Sequence, residues 1–378
     1  MRRGKVDKEW CRSRPRPDVP LFYHSNIPVS ERPLWLFSRR ADFWLASGGA
    51  CIGLLAAIVL IFLHGDREID AIDFVLSEFH LGATYGAILR RRLWRYRQVD
   101  VVLLPLVILA VTYALSMSGH TILLTSIAMY AAVWHRGRQS LGVALFYQRG
   151  VGGPVSRAHA FLFRGAIYLP MLAALLAYTH ATPMDFEGKP YLALNFGAAI
   201  TSLAGLGATG CVVAYLVRTV LQNGSDRLDA ARQTNNLLVH PGEWWVVLAH
   251  AAAFGSGYVL GASNASFLLV LAVHHEVQYL YFTYAMARRT TAFRGISKNG
   301  AGMATRDVVS KASYFEGSAL LNEAKFTVTF LVWPVISFAG AIIGGWSQLQ
   351  WLGPLGMGGL FCHYWLDGRI WTRQSFQN

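Results

Sequence analysis

Long apolar stretches, separated by short polar or basic segments, dominate the chain from about residue 43 onward. A membrane-spanning helix needs about 20 predominantly apolar residues to cross about 30 Å of hydrocarbon. Ten stretches approach that length, and they lie at about 43–64, 72–89, 99–117, 120–148, 160–179, 191–217, 243–262, 265–287, 325–344 and 349–367. The pattern therefore predicts an all-α, polytopic integral membrane helix bundle with about ten transmembrane helices.

Positive charges are concentrated in alternate connections between these stretches. If the N-terminus is cytoplasmic, the basic segments 90–97, 149–157, 218–232, 288–325 and 369–373 all fall on the cytoplasmic side. The opposite loops are short and hold few positive charges, as the positive-inside rule requires. We therefore expect both termini in the cytoplasm and an even number of spans.

This topology divides the chain into three predicted parts. Residues 1–42 form a basic cytoplasmic segment, 43–367 the transmembrane domain with a cytoplasmic loop at about 288–324, and 368–378 a cytoplasmic tail. The first apolar stretch begins too late for a secretory signal, so we expect it to be retained as a span. The predicted location is a bacterial inner (cytoplasmic) membrane.

Composition supports a lipid environment. Hydrophobic residues make up 54% of the chain and charged residues only 15%, whereas soluble domains carry about a quarter charged residues. The net charge of +13 sits in the loops, so we expect the bilayer, and not nucleic acid, as its partner. The four cysteines form no CxxC pair, so no disulfide framework or zinc ribbon is predicted.

The fourth stretch is interrupted by charge. Arg136 and Arg138 follow His135, yet the chain becomes apolar again before Arg149. One long, tilted helix over about 120–148 would place these polar residues near mid-membrane, where charges are usually functional. The alternative is a helix that stops at His135, followed by an interfacial segment.

One motif resembles a nucleotide-binding fingerprint without its context. The segment Gly205-Leu-Gly-Ala-Thr-Gly210 fits G-x-G-x-x-G. It lies inside an apolar stretch, not between a strand and a helix. We interpret these small residues as a surface for close helix packing.

Several ionisable and polar side chains lie inside the apolar stretches. They include Ser77-Glu78-Phe79-His80, the run from Trp134 to Gln139, and His274-His275-Glu276 with Gln278 and Tyr279, and then His363 and Asp367. From the spacing to the next basic residue, the histidines lie about 9–21 Å from the cytoplasmic boundary. Such groups need partners in lipid, so we expect them to cluster.

Spacing on the helices predicts which of these residues share a face. His363 and Asp367 are four residues apart, as are His135 and Gln139, and such pairs lie on one helix face. The pairs His274 and Gln278, and His275 and Tyr279, follow the same rule. Bundles build metal sites from facing helices in this way.

The predicted metal ligands are His80, His135, His274, His275, His363 and Asp367. Glu78, Glu276 and Tyr279 are candidate catalytic residues, and the candidate substrate-binding residues are Arg136, Arg138, Gln139 and Gln278. Imidazole and carboxylate ligands without thiolate suit iron, and suit copper or zinc less well. We therefore expect one or two non-haem iron ions, with haem as the alternative, and we interpret His250 as a packing residue.

The intramembrane histidines resemble those of integral-membrane non-haem iron enzymes. These are the fatty acid desaturases and hydroxylases and the Brp/Blh carotene dioxygenases. The resemblance lies in His80, His135, His274, His275 and His363. The HxxxH and HxxHH boxes of the desaturases are absent from the sequence, so the resemblance concerns the type of ligand. It implies an oxygenase or oxidoreductase of lipid metabolism.

The leading hypothesis is a membrane oxidoreductase acting on a fatty acyl, isoprenoid or carotenoid substrate. The chain carries no soluble reductase domain, so electrons would come from a separate donor. The alternatives are a haem-binding redox protein, a proton-coupled transporter, and a structural or assembly subunit of a membrane complex. Transporters often contain internal repeats, and the lack of one in this sequence counts against a transporter.

Overall fold

A computed structural model describes residues 35–63, 66–91, 97–150, 156–182, 190–229, 239–299 and 352–370. All regular secondary structure in these ranges is helical, which confirms the all-α prediction for this part of the chain. The predicted span at 325–344, the predicted loop beyond residue 299 and most of the two predicted cytoplasmic termini lie outside these ranges.

The helices are numbered α1 to α9 in chain order over the described residues. Helix α1 contains a turn at Arg39–Ala41, a π-helical segment at Asp42–Ser47 and, after a bend of 52°, an α-helix at Gly49–Leu63. The next helices are α2 (Asp66–Arg91), α3 (a π-helical Val99–Leu103 continued by Leu104–Met117), α4 (Thr121–Gly150) and α5 (Arg157–Ala181). The remaining helices are α6 (Ala198–Asp229), α7 (Pro241–Phe254 continued by a π-helical Gly255–Leu260), α8 (Leu268–Asn299, preceded by the 3-10 turn Ala265–Phe267) and α9 (Leu352–Ile370).

Three described helices are long and apolar enough to cross a membrane, namely those at Val99–Met117, Arg157–Ala181 and Gly197–Leu221. The bent helix α1 is a fourth candidate if its two parts form one span. The ten spans and the placement of the termini remain predictions. Helices α2, α4, α8 and α9 are less apolar than these, because they carry the polar side chains described below.

Helix α4 is one continuous helix of 30 residues. It passes through His135, Arg136 and Arg138 without a break. The structure therefore confirms the long helix and excludes the alternative in which the helix stops at His135.

Helix α6 begins seven residues later than the predicted span at 191–217. The preceding segment, 190–197, has no regular secondary structure, and side chains of α4 bind its backbone. Ser126 Oγ accepts a hydrogen bond from Leu192 N at 2.8 Å, and Tyr130 OH accepts one from Leu194 N at 3.0 Å. Tyr130 OH also donates to Leu192 O at 2.7 Å. These contacts replace the helical hydrogen bonds that the sequence pattern predicted.

Close packing through glycine occurs at α1, not at the predicted glycines of α6. A Cβ atom at Gly53 would lie 2.8 Å from Val270 Cα, so α1 and α8 approach closely at this point. A Cβ atom at Gly205, Gly207 or Gly210 would meet no atom within 4 Å in the described structure. The interpretation of the 205–210 segment as a packing surface is therefore not supported by any described helix.

The apolar core lies where α4, α5, α7 and α8 meet. Its largest fully buried side chains include Tyr147, Phe163, Phe254 and Leu271. Helices α2 and α9 pack beside α8 and α4. The junction of α2, α4, α8 and α9 is where the buried polar side chains gather.

Candidate metal centre

Four potential metal ligands converge from three helices. His80 comes from α2, His135 from α4, and His363 and Asp367 from α9, each offering one ligand atom within 4.8 Å of the others. His363 and Asp367 are one helical turn apart and face the same way, as their spacing predicted. The structure therefore brings together four of the six predicted metal ligands.

The separations of the ligand atoms match those around a single ion. His80 Nε2 lies 2.8 Å from His363 Nε2, which lies 3.3 Å from His135 Nε2. Asp367 Oδ2 lies 3.5 Å from His135 Nε2, 3.8 Å from His363 Nε2 and 3.9 Å from His80 Nε2. Metal–nitrogen bonds of about 2.0–2.1 Å place two ligand atoms about 2.8–3.0 Å apart at right angles and about 3.3–3.4 Å apart in a tetrahedron, and the five separations bracket these values. The four atoms thus surround a point that a metal ion can occupy.

All four side chains are buried. His80 and His363 are 2% exposed, Asp367 is 6% exposed and His135 is 9% exposed. His135 is the most exposed of the four, and Trp134, the residue before it on α4, is 54% exposed.

A second group of possible ligands shares His80 and adds His275 and Glu276. Its geometry is unsuited to an ion. His80 Nδ1 lies 2.5 Å from Glu276 Oε2, closer than the roughly 2.8 Å that separates adjacent ligands even in an octahedron. The rings of His80 and His275 are stacked 4.6 Å apart at 29°, so their in-plane lone pairs cannot meet at one point.

Glu276 instead occupies the position of a carboxylate that orients a ligand histidine. Its Oε2 lies against His80 Nδ1, although the two atoms are not aligned as a hydrogen bond. A carboxylate at Nδ1 favours the proton on that nitrogen, which leaves Nε2 free to bind a metal. Glu276, a candidate catalytic residue in the sequence analysis, thus contacts the outer nitrogen of a possible ligand.

Two hydroxyl groups lie behind the ligands. Thr84 Oγ1 lies 3.0 Å from His363 Nδ1 and donates to Asp367 Oδ1 at 2.9 Å. Tyr279 OH donates to Asp367 Oδ1 at 2.5 Å and lies 2.7 Å from Thr84 Oγ1. The ring of Tyr279 stacks on His80 at 3.8 Å. Tyr279 thus contacts two ligand residues, but through their outer surfaces.

The consecutive residues His275 and His274 face different neighbours, because adjacent positions on a helix differ by about 100°. The His275 ring lies 5.0 Å from that of His135, beside the cluster. His274 packs against α1, where a Cβ atom at Gly49 would lie 2.9 Å from its Cα. It belongs to neither group of possible ligands in the described residues, which is a correction to its predicted role.

The two predicted substrate-binding amides join helices to one another. Gln139 Nε2 donates to His275 O at 2.8 Å and to Gln278 Oε1 at 3.2 Å. Gln278 Nε2 donates to Ala46 O at 2.8 Å. Their hydrogen bonds link α4, α8 and the π-helical segment of α1, so the structure gives these amides a packing role.

The remaining predicted residues lie at the edge of the cluster. Arg136 is half-buried on α4. Arg138 is exposed, and Glu78 is half-buried on α2. Neither Glu78 nor the arginines supply an atom to the two possible ligand groups of the described residues.

Thr84 was missed by the sequence analysis. A threonine inside a membrane helix usually bonds its own backbone, so its residue type gives little signal. The available signal was its spacing, because Thr84 follows His80 by four residues and therefore lies on the same face of α2.

Comparison of the chain with protein-family models, with curated proteins and with solved structures finds no match.

Proposed function

We propose that the protein is a membrane-embedded, metal-dependent oxidoreductase whose centre is a single non-haem iron ion. The ligands are His80, His135, His363 and Asp367. The observation that carries the proposal is the convergence of three imidazole nitrogens and one carboxylate oxygen, at separations of 2.8–3.9 Å for the five measured pairs.

The ligand types favour a redox-active divalent ion. Imidazole ligands suit iron, copper, nickel and zinc, and combined histidine and carboxylate ligation is typical of non-haem iron oxygenases. Asp367, as a ligand, and Glu276, beside the ligand His80, bring two negative charges to the site, while metal-bound histidines are neutral. A divalent cation compensates these two charges, which is important in a buried site of low dielectric constant.

A bare ion fits the cluster better than a haem. Two axial histidines of a haem must lie on opposite faces of the porphyrin ring. Here His80 Nε2 and His363 Nε2 are 2.8 Å apart, so no ring can lie between them. The haem alternative is therefore not supported at this site.

The surroundings of the ligands favour an apolar substrate. The cluster lies within a bundle that has three or four helices able to cross a membrane. Its most accessible ligand, His135, neighbours the exposed Trp134. A fatty acyl, isoprenoid or carotenoid molecule can approach this face from the bilayer, and the buried position of the ligands excludes bulk water.

The chain's own residues position this chemistry. An iron ion, when bound, supplies a site at which dioxygen can react with the substrate. His80, His135, His363 and Asp367 would hold the ion and would leave it able to bind a further molecule. Glu276, Thr84 and Tyr279 hold the ligands by their outer atoms, and electrons come from a separate donor.

The test is metal analysis of the full-length protein purified in detergent, together with its visible spectrum. We expect a single iron ion per chain without a Soret band. His363→Ala should abolish iron binding, whereas the matched control His159→Ala should not. His159 is also a buried histidine beside a carboxylate, with its Nε2 2.8 Å from Glu243 Oε1, but it lies outside the cluster.

The iron-loaded protein should also consume dioxygen when an appropriate fatty acyl, isoprenoid or carotenoid compound and a chemical reductant are added. Zinc in place of iron would contradict the oxidoreductase proposal while retaining the metal centre. A folded protein that stays metal-free after supplementation with iron would contradict both, and would favour the transporter or structural interpretation.

A further inference from the structure

We infer that the hydroxyl group of Thr84 is a positioning group that prepares both ligands of α9, His363 and Asp367, for the metal ion. This inference rests on the proposed metal centre. Thr84 Oγ1 contacts the outer atom of each ligand, at 3.0 Å for His363 Nδ1 and 2.9 Å for Asp367 Oδ1.

Counting hydrogens assigns the direction of these contacts. Thr84 Oγ1, Tyr279 OH and Asp367 Oδ1 contact one another at 2.5–2.9 Å. Each of the three oxygen–oxygen contacts calls for a hydrogen, but the two hydroxyl groups supply only two when Asp367 is ionised, so both hydrogens are used among these three oxygens. No hydroxyl hydrogen then remains for His363 Nδ1, so this nitrogen must donate its own hydrogen to Thr84.

This assignment determines which atom of each ligand faces the metal position. With its hydrogen on Nδ1, the His363 ring presents the lone pair of Nε2 to His80, His135 and the metal position. Asp367 has its Oδ1 occupied by Thr84 and Tyr279, so its Oδ2 is the oxygen left to bind the ion. Outer partners of this kind fix the tautomer and the orientation of metal ligands.

Thr84 can do this because of its place in the bundle. It lies one helical turn after His80 on α2 and is fully buried. Helix α2 therefore supplies both the ligand His80 and the hydroxyl group that holds the two ligands of α9. A serine keeps this hydroxyl, whereas a valine keeps the shape and removes it.

The first experiment compares Co²⁺ and Zn²⁺ affinity of the full-length protein in detergent by competition with a chelator. We expect Thr84→Val to weaken binding about 10–100-fold and to change the visible Co²⁺ spectrum. Thr84→Ser should retain the affinity and the spectrum. The matched control is Thr125→Val on α4, whose hydroxyl donates to its own helix at Thr121 O, and it should bind as the natural protein does.

Two results would overturn the inference: unchanged affinity in Thr84→Val, or an equal loss in Thr84→Ser, which would show that side-chain packing and not the hydroxyl is responsible. If the unsubstituted protein binds no metal, the proposed function fails first, and this inference fails with it.

A second measurement does not depend on the valine variant folding. Nitrogen-15 NMR of the histidine rings in the Zn²⁺-loaded natural protein, assigned with His363→Asn, reports which ring nitrogen carries hydrogen. We expect His363 to carry it on Nδ1. Hydrogen on Nε2 would contradict the inference directly.

Discussion

Two buried carboxylates in this bundle have opposite kinds of neighbours. Asp42, at the start of α1, is surrounded by hydrogen-bond donors. Its Oδ2 accepts from Leu36 N at 2.6 Å and from Tyr147 OH at 2.8 Å, and its Oδ1 accepts from Phe37 N at 3.1 Å and from Tyr281 OH. Asp42 therefore has all its partners within the protein.

Asp367 has donors on one oxygen only. Thr84 and Tyr279 donate to Oδ1, while Oδ2 faces three histidine nitrogens at 3.5–3.9 Å. Two of those nitrogens approach each other at 2.8 Å. The difference indicates that Asp42 stabilises the fold, whereas the Asp367 cluster is arranged so that it could hold a cation.

The largest expected effect is on the Asp42 side of the comparison. Asp42→Asn places an amide NH₂ group against donors, and we expect it to lower the free energy of unfolding by about 3 kcal/mol. The measurement is a denaturant titration in mixed micelles, followed by circular dichroism. Metal content per folded chain should not change. A loss of metal without a loss of stability would contradict the structural role of Asp42.

The second largest effect is expected for the stabilisation of the fold by a metal ion bound at Asp367. A divalent ion at about 100 times its dissociation constant should raise the free energy of unfolding by about 2.7 kcal/mol, because it binds only the folded chain. In Asp367→Asn this increase should disappear. The stability of the metal-free protein should not fall, because the amide donates hydrogens toward the histidine nitrogens. Thermal unfolding with and without Zn²⁺ tests this, and an increase that persists in Asp367→Asn would contradict the assigned ligand.

A smaller effect is expected behind His80. Glu276→Gln removes the charge at His80 Nδ1 but keeps the size of the side chain. Metal affinity should fall about tenfold, at the lower end of the range for such outer partners. Competition with a chelator measures the change. A complete loss of binding would instead indicate that Glu276 is itself a ligand.

The smallest effect is expected at a carboxylate that resembles Asp42. Glu243 Oε1 accepts from Tyr215 OH at 2.9 Å and contacts His159 Nε2 at 2.8 Å. Glu243→Gln keeps an oxygen acceptor, so we expect a loss of stability of about 1 kcal/mol and no change in metal affinity. A change in metal affinity in Glu243→Gln would contradict the distinction between carboxylates that stabilise the fold and the carboxylate of the metal site.

The sequence predicted features that depend on local pattern. The continuous helix α4 followed from apolar residues on both sides of Arg136 and Arg138. The shared face of His363 and Asp367 followed from their spacing of four residues. Convergence of His80, His135 and His363 was expected because buried polar groups need partners, although nothing in the sequence specified which helices would be neighbours.

Other features depend on contacts between distant segments. The late start of α6 results from hydrogen bonds with Ser126 and Tyr130. His274 and His275 are equally plausible ligands in the sequence, and the packing of α1 at Gly49 decides which faces the cluster. The donors around Asp42 come from α4, α8 and the chain just before α1, so its role was not predictable.

The ligands of the cluster come from parts of the chain that are synthesised far apart in time. His80 and His363 are separated by 283 positions, and α9 supplies two of the four ligands. The four possible ligands can therefore come together only after α9 has been synthesised and has packed beside α2 and α4. We expect metal loading to follow that step, so metal content would report correct assembly of the bundle.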